Sequence, residues 1–179
     1  MKINRFLLLL ALIGIFANAP TYAEDSTIVW ETNYDAAVEK AQKEQKNILV
    51  YFSGSDWCSY CIRLEQSAFD DPDFYDLVGD KFVFINIDFP RYKALPPEET
   101  KRNEELRDEY NISGFPTVIL MHPRKEIIAI TGFLPLQGDD YAKHLLQLID
   151  DETAFSEESD DINTSDISSE DLETLYMKA

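Results

Sequence analysis

Short unbroken apolar runs, separated by stretches with helical spacing, dominate the middle of the sequence. Ile48-Leu49-Val50-Tyr51-Phe52 and Phe82-Val83-Phe84-Ile85-Asn86-Ile87-Asp88 are too short for helices and apolar at almost every position, which predicts two buried strands. Before the first of them, Asn33 is placed to cap a helix in which Ala37, Val38 and Ala41 recur on one face and Lys43 to Lys46 close the end. Ser53-Gly54-Ser55-Asp56 then turns the chain into a second helix from about Cys58, with Leu64 and Ala68 on one side, and Asp71-Pro72 opens a short third one. The Pro-containing stretch Pro90 to Pro97 leads into a helix over Glu99 to Tyr110. Thr117 to Met121 and Glu126 to Ile130 flank His122-Pro123-Arg124-Lys125, a hairpin signal, and Asp139 to Ile149 has the spacing of a closing helix. Strands separated by helices predict an α/β domain with a parallel-sheet core.

The two ends of the chain differ from this middle. Lys2 and Arg5 precede an apolar run of 11 residues, Phe6 to Phe16, followed by Ala17-Asn18-Ala19-Pro20-Thr21-Tyr22-Ala23. A bilayer-spanning helix needs roughly 20 residues, so the pattern reads as a secretory signal peptide over residues 1–23, cleaved after Ala23. From Asp151 to Ala179 there are ten acidic residues and one Lys among Ser and Thr, with few apolar positions, which predicts a disordered acidic tail. Residues 24–150 are left as one domain.

Charge narrows the function. The 179 residues carry 34 acidic and 16 basic side chains, a net charge of −18, so nucleic acid is a poor partner because phosphate recognition relies on Lys and Arg. With two Cys and two His, and His122 and His144 far from the cysteines and from each other, no metal site is expected.

Both cysteines stand in Trp57-Cys58-Ser59-Tyr60-Cys61, where a strand gives way to a helix. At that spacing their Cα atoms fall within the roughly 4.4–6.8 Å that a disulfide tolerates, in either redox state. A structural staple is a poor explanation. The chain-entropy model gives a four-residue loop about 2 kcal/mol, against about 4.7 kcal/mol for a loop of 100 residues. A free thiol with a pKa of about 8.5 is only about 3% ionised at pH 7, so exchange chemistry needs a local environment that favours the thiolate. Helix-end electrostatics alone move a pKa by less than about one unit, and hydrogen bonds from helix-terminal N–H groups supply the rest. Cys58, at the open end of the helix, is the expected attacking thiolate, and Cys61, in the first turn, the resolving thiol.

The strand Ile48–Phe52, Trp57-Cys58-Ser59-Tyr60-Cys61 and Gly114-Phe115-Pro116-Thr117, in that order, resemble the thioredoxin-like superfamily over residues 28–150. Trp57 through Phe74 look most like exported bacterial disulfide reductases, the C-terminal domain of DsbD and the small chlamydial DsbH-type proteins. The resemblance implies a thioredoxin-like fold, a central mixed β-sheet with helices on both faces. It implies a cis bond before Pro116, and a docking surface of Trp57, Tyr60, Phe115 and Pro116 beside a redox-active Cys58–Cys61 disulfide. Many thioredoxins carry a buried Asp in the strand before the motif, where this chain has Tyr51, so proton transfer to and from Cys61 must use another group. Glu65, one turn after Cys61, matches an acidic residue at that offset in the DsbD-type domains. Asp56 reads as a helix-start residue.

The expectation is a periplasmic thiol–disulfide oxidoreductase, a monomer that reduces disulfides in exported proteins. With no dinucleotide fingerprint and no cofactor expected, electrons must come from a membrane thiol donor. Thiol oxidase or isomerase chemistry on the same fold remains an alternative, because Ser59-Tyr60 is neither the Gly-Pro of thioredoxin nor the Pro-His of DsbA. So does a non-catalytic thioredoxin-like binding or chaperone module.

Overall fold

The computed structural model describes residues 27–164. The expected signal peptide and cleavage point fall outside them, as does the last part of the acidic segment. The order along the chain is β1 (Trp30–Glu31), α1 (Tyr34–Glu44), β2 (Asn47–Ser53), α2 (Ser59–Leu64), a π-helical turn (Glu65–Phe69), α3 (Pro72–Val78), β3 (Phe82–Asp88), α4 (Pro97–Glu109), β4 (Thr117–Met121), β5 (Ile127–Gly132) and α5 (Gly138–Thr164). Five strands form one sheet in the order β1-β3-β2-β4-β5. β3 runs parallel to β1 and β2, whereas β4 is antiparallel to both β2 and β5, so the sheet is mixed.

Strand β2 lies in the middle and is apolar from Ile48 to Phe52 because helices cover both faces. Its side chains alternate between two clusters. Leu49 and Tyr51 join Phe82, Phe84, Val118 and Leu120 under α2, α3 and α5. Ile48, Val50 and Phe52 join Val83, Ile85, Ile87 and Ile119 under α1 and α4. Each such side chain, fully buried, contributes about 1.5–3 kcal/mol of apolar transfer energy, and this fixes the register of β2 between its neighbours.

The caps follow the sequence. Asn33 Oδ1 accepts from Ala36 N at 3.2 Å at the head of α1, and Asp71 Oδ1 accepts from Asp73 N at 3.0 Å at the head of α3. Three elements depart from the sequence reading. β1 is too short to show a period, yet Trp30 packs its indole against Tyr51, Phe69 and Phe84 with centroids 5.6, 5.2 and 5.7 Å away. The second helix widens into a π turn after Leu64. The closing helix does not stop at Ile149 but continues to Thr164, so residues 151–164, expected as disordered tail, are helical. Leu148 and Ile149 still pack on the core, and Glu152 Oε2 lies 3.3 Å from His122 Nε2, which carries the helix past the point where apolar residues thin out.

Candidate active site

The site lies at the C-terminal end of β2, where the chain leaves the sheet. Ser53-Gly54-Ser55-Asp56 makes the turn, and the N–H of Cys58 bonds back to the Gly54 carbonyl at 2.9 Å. A Cβ on Gly54 would lie 2.6 Å from the Trp57 indole, so only glycine lets Trp57 fold over the turn. The carboxylate of Asp88, at the end of the adjacent β3, accepts from Ser55 N at 2.9 Å and Ser55 Oγ at 2.7 Å, and pairs with Lys93 Nζ at 3.0 Å. The Ser53 hydroxyl is nearer to Asn86 Oδ1, at 2.9 Å, than to Asp88, at 3.3 Å, and its single proton goes to Asn86. Hydrogen bonds to the end of β3 thus hold the turn beneath the Trp57 indole.

Cys58 and Cys61 form a disulfide with Cα atoms 5.2 Å apart. Cys58 is the N-cap of α2, and its Sγ accepts from the Cys61 N–H at 3.2 Å. A donor in that position stabilises a thiolate at Cys58 once the bridge opens. Cys58 is 6% exposed and Cys61 is fully buried, so the first sulfur is the one nearer to solvent.

The cap role belongs to Cys58, not Asp56. The Asp56 carboxylate points to the segment after β3, accepting from Arg91 N at 2.9 Å and Tyr92 N at 2.8 Å. Trp57 reaches the same segment, donating its indole N–H to the Phe89 carbonyl at 2.8 Å, while the Arg91 guanidinium stacks 3.5 Å above its ring. These contacts bind the cysteine turn to the loop after β3, a pairing across more than thirty residues that no local pattern announces.

Phe115 and Pro116 are joined by a cis peptide bond. Phe115 meets Trp57 edge to face at 5.9 Å and Phe89 at 5.1 Å. Gly132 of β5 comes so close beneath that a Cβ would lie 2.8 Å from the Pro116 carbonyl oxygen, which again requires glycine. Tyr60, 53% exposed, faces Phe133 at 5.3 Å, and the Arg63 guanidinium lies 5.6 Å from the centre of the Tyr60 ring. Tyr60, Phe115, Pro116 and Phe133 line an open groove of about 300 Å³. Trp57 sits beside it through Phe115 rather than in its lining. Phe133 and Arg91 were missed in the sequence, being an ordinary aromatic after a strand and a lone cation in a loop.

Glu65 lies apart from the groove, one turn beyond Cys61 on the same helix face. It is partly buried, and its Oε1 accepts from the Tyr51 hydroxyl at 3.0 Å. Burial pushes the Glu65 carboxyl above its ordinary value, and the Tyr51 bond works against that rise.

Known proteins agree with this geometry. A family model described as a thioredoxin-like domain matches residues 34–149. The disulfide bond reductase DsbH of Chlamydia pneumoniae is 30% identical over 116 residues, covering 65% of this chain and 69% of that protein. The thioredoxin-related protein DsbJ of the same organism is 26% identical over 147 residues, 82% of this chain but 42% of that one. A solved structure of a DsbH oxidoreductase matches with a TM-score of 0.67 at 27% identity, covering 76% of this chain and 93% of that chain. A thioredoxin from Thermus thermophilus shares the fold, with a TM-score of 0.52 at 22% identity over 68% of this chain and 87% of the other. The chain therefore belongs to the thioredoxin-like family, as a thiol–disulfide oxidoreductase.

Proposed function

We propose that this protein works as a reductase of disulfides in exported proteins, in the periplasm, after a signal peptide over residues 1–23 has been removed. The observation that carries the reading is the inequality of the two sulfurs. Cys58 is the more exposed and accepts an N–H, and Cys61 is sealed beneath it.

In the reduced protein the Cys58 thiolate attacks one sulfur of a substrate disulfide, forming a mixed disulfide and releasing the other substrate sulfur as a thiolate. Cys61 then gives its proton to the Glu65 carboxylate, and its own thiolate attacks the Cys58 sulfur. The Cys58–Cys61 bridge forms and the second substrate thiolate leaves. Two electrons pass from the dithiol to the substrate, and a membrane thiol donor returns them. Tyr60, Phe115, Pro116 and Phe133, with Trp57 backing Phe115, give an extended substrate segment its apolar footing, with backbone pairing to the segment before β4. The likeness to a chlamydial protein named as a disulfide bond reductase supports the direction of electron flow.

Equilibration of the purified protein with defined glutathione ratios tests the direction. A reductase has a potential near the thioredoxin value of about −270 mV. A value near that of the oxidant DsbA, about −120 mV, would reverse the assignment.

A further inference from the structure

Tyr51 is 1% exposed, yet it carries a hydroxyl into an aromatic setting. Trp30 and Phe69 pack on its ring at 5.6 and 5.2 Å, and a phenylalanine would fill the same space. A buried hydroxyl is tolerable only with a partner, and this one donates to Glu65 Oε1 at 3.0 Å. Among the charged and titratable groups around the pair, Asp70 at the end of the π turn and Asp88 on β3 raise the Glu65 carboxyl further, and Lys93 lowers it. Tyr141 of α5 and Asp88 act on Tyr51 in the same sense as its burial, and Tyr141 spends its own proton on the Gly132 carbonyl at 2.9 Å. Burial, with Glu65 beside it, pushes the Tyr51 hydroxyl far above its ordinary range. Tyr51 therefore keeps its proton at any working pH and serves as a fixed donor, leaving Glu65 as the group that titrates.

We infer that Tyr51 is a positioning residue for the resolving step: its hydroxyl fixes one oxygen of the Glu65 carboxylate, favours the charged form of that group, and leaves the other oxygen to receive the Cys61 proton. This rests on Glu65 being the proton acceptor proposed above. A tyrosine–glutamate pair then occupies the place where a single buried acid would otherwise stand.

The test follows the Glu65 carboxyl by ¹³C NMR in the full chain, together with the pH profile of single-turnover reduction of a disulfide peptide by the pre-reduced protein. A bond from Tyr51 favours the charged carboxylate, so Tyr51→Phe should raise the Glu65 pKa by roughly one to two units. The acid limb of the rate profile should move to higher pH by the same amount. Replacing Tyr51 with 3-fluorotyrosine, a stronger donor on the same ring, should move both the other way, which keeps the idea testable even where Tyr51→Phe folds poorly. Glu65→Gln should remove the limb, and adding Tyr51→Phe to it should change nothing further. A Glu65 titration and acid limb unmoved by either change at position 51, with the limb still lost in Glu65→Gln, would make Tyr51 a packing residue and leave Glu65 in its role. A limb that survives Glu65→Gln would remove Glu65 as acceptor, and this inference with it.

Discussion

The two faces of the sheet are built from the same strands and differ in what they bury. Under α1 and α4 lie Ile48, Val50, Val83, Ile85, Ile87 and Ile119, with polar contacts at the margin, Tyr34 to Tyr110 at 2.6 Å between hydroxyls and Asn103 Nδ2 donating to the Asp88 carbonyl at 2.9 Å. Under α2, α3 and α5 the core mixes aliphatic side chains with aromatic ones such as Phe69, Phe74, Phe84 and Tyr141, and it takes in Cys58, Cys61 and Tyr51. Alternation along β2 sends Val50 to one face and Tyr51 to the other. One face supplies cohesion, and the other surrounds a reactive pair with groups that hold or move a proton.

Substitutions can break that contrast. Cys58→Ser should reduce disulfide exchange to the uncatalysed background while the fold melts at an ordinary temperature, measured with a fluorogenic disulfide and by circular dichroism. Ile85→Ala, on the opposite face, should do the reverse. It empties a fully buried site at a cost of about 2–5 kcal/mol in denaturant unfolding, with the exchange rate per folded molecule unchanged. Glu65→Gln should slow turnover by roughly 10²-fold, the lower range of general acid–base contributions, with little loss of stability. Tyr34→Phe should cost about 1 kcal/mol and leave exchange untouched, since it removes a hydrogen bond from the cohesive face alone.

The smallest effect concerns pH. Burial raises the Glu65 carboxyl in the folded state above its ordinary value of 4.5, so the folded protein holds a proton that the unfolded chain has already released. Stability contributed by that proton is present below 4.5 and declines as pH rises towards the folded value. Glu65→Gln should flatten this decline. Urea midpoints across the window, compared with the parent chain, measure it.

What the sequence revealed divides along similar lines. β2 and β3 were legible because strands covered on both faces are apolar at most positions, Ile48 to Phe52 and Phe82 to Ile85 without a break, and Asn33 and Asp71 stand where caps belong. The cysteine pair and Pro116 were legible because they sit in a recognisable order. β1 was not, since two residues cannot display a period. The reach of α5 past Ile149 was hidden by an acidic composition that the His122 contact offsets. Around the site, Asp56 was misread as a helix-start residue because its partners, Arg91 and Tyr92, come from a loop distant in sequence. Tyr51 stood out as a departure from the family, but its partnership with Glu65 depends on the pitch of α2 and the inward tilt of one strand residue.

The most direct measurement is mass spectrometry of mixed disulfides formed by single-cysteine variants with a disulfide-containing peptide. Cys61→Ser should accumulate peptide covalently held on Cys58, and Cys58→Ser should accumulate none on Cys61. Equal trapping by the two variants, or trapping on Cys61 alone, would contradict the assignment of the more accessible sulfur as attacking and the fully buried one as resolving.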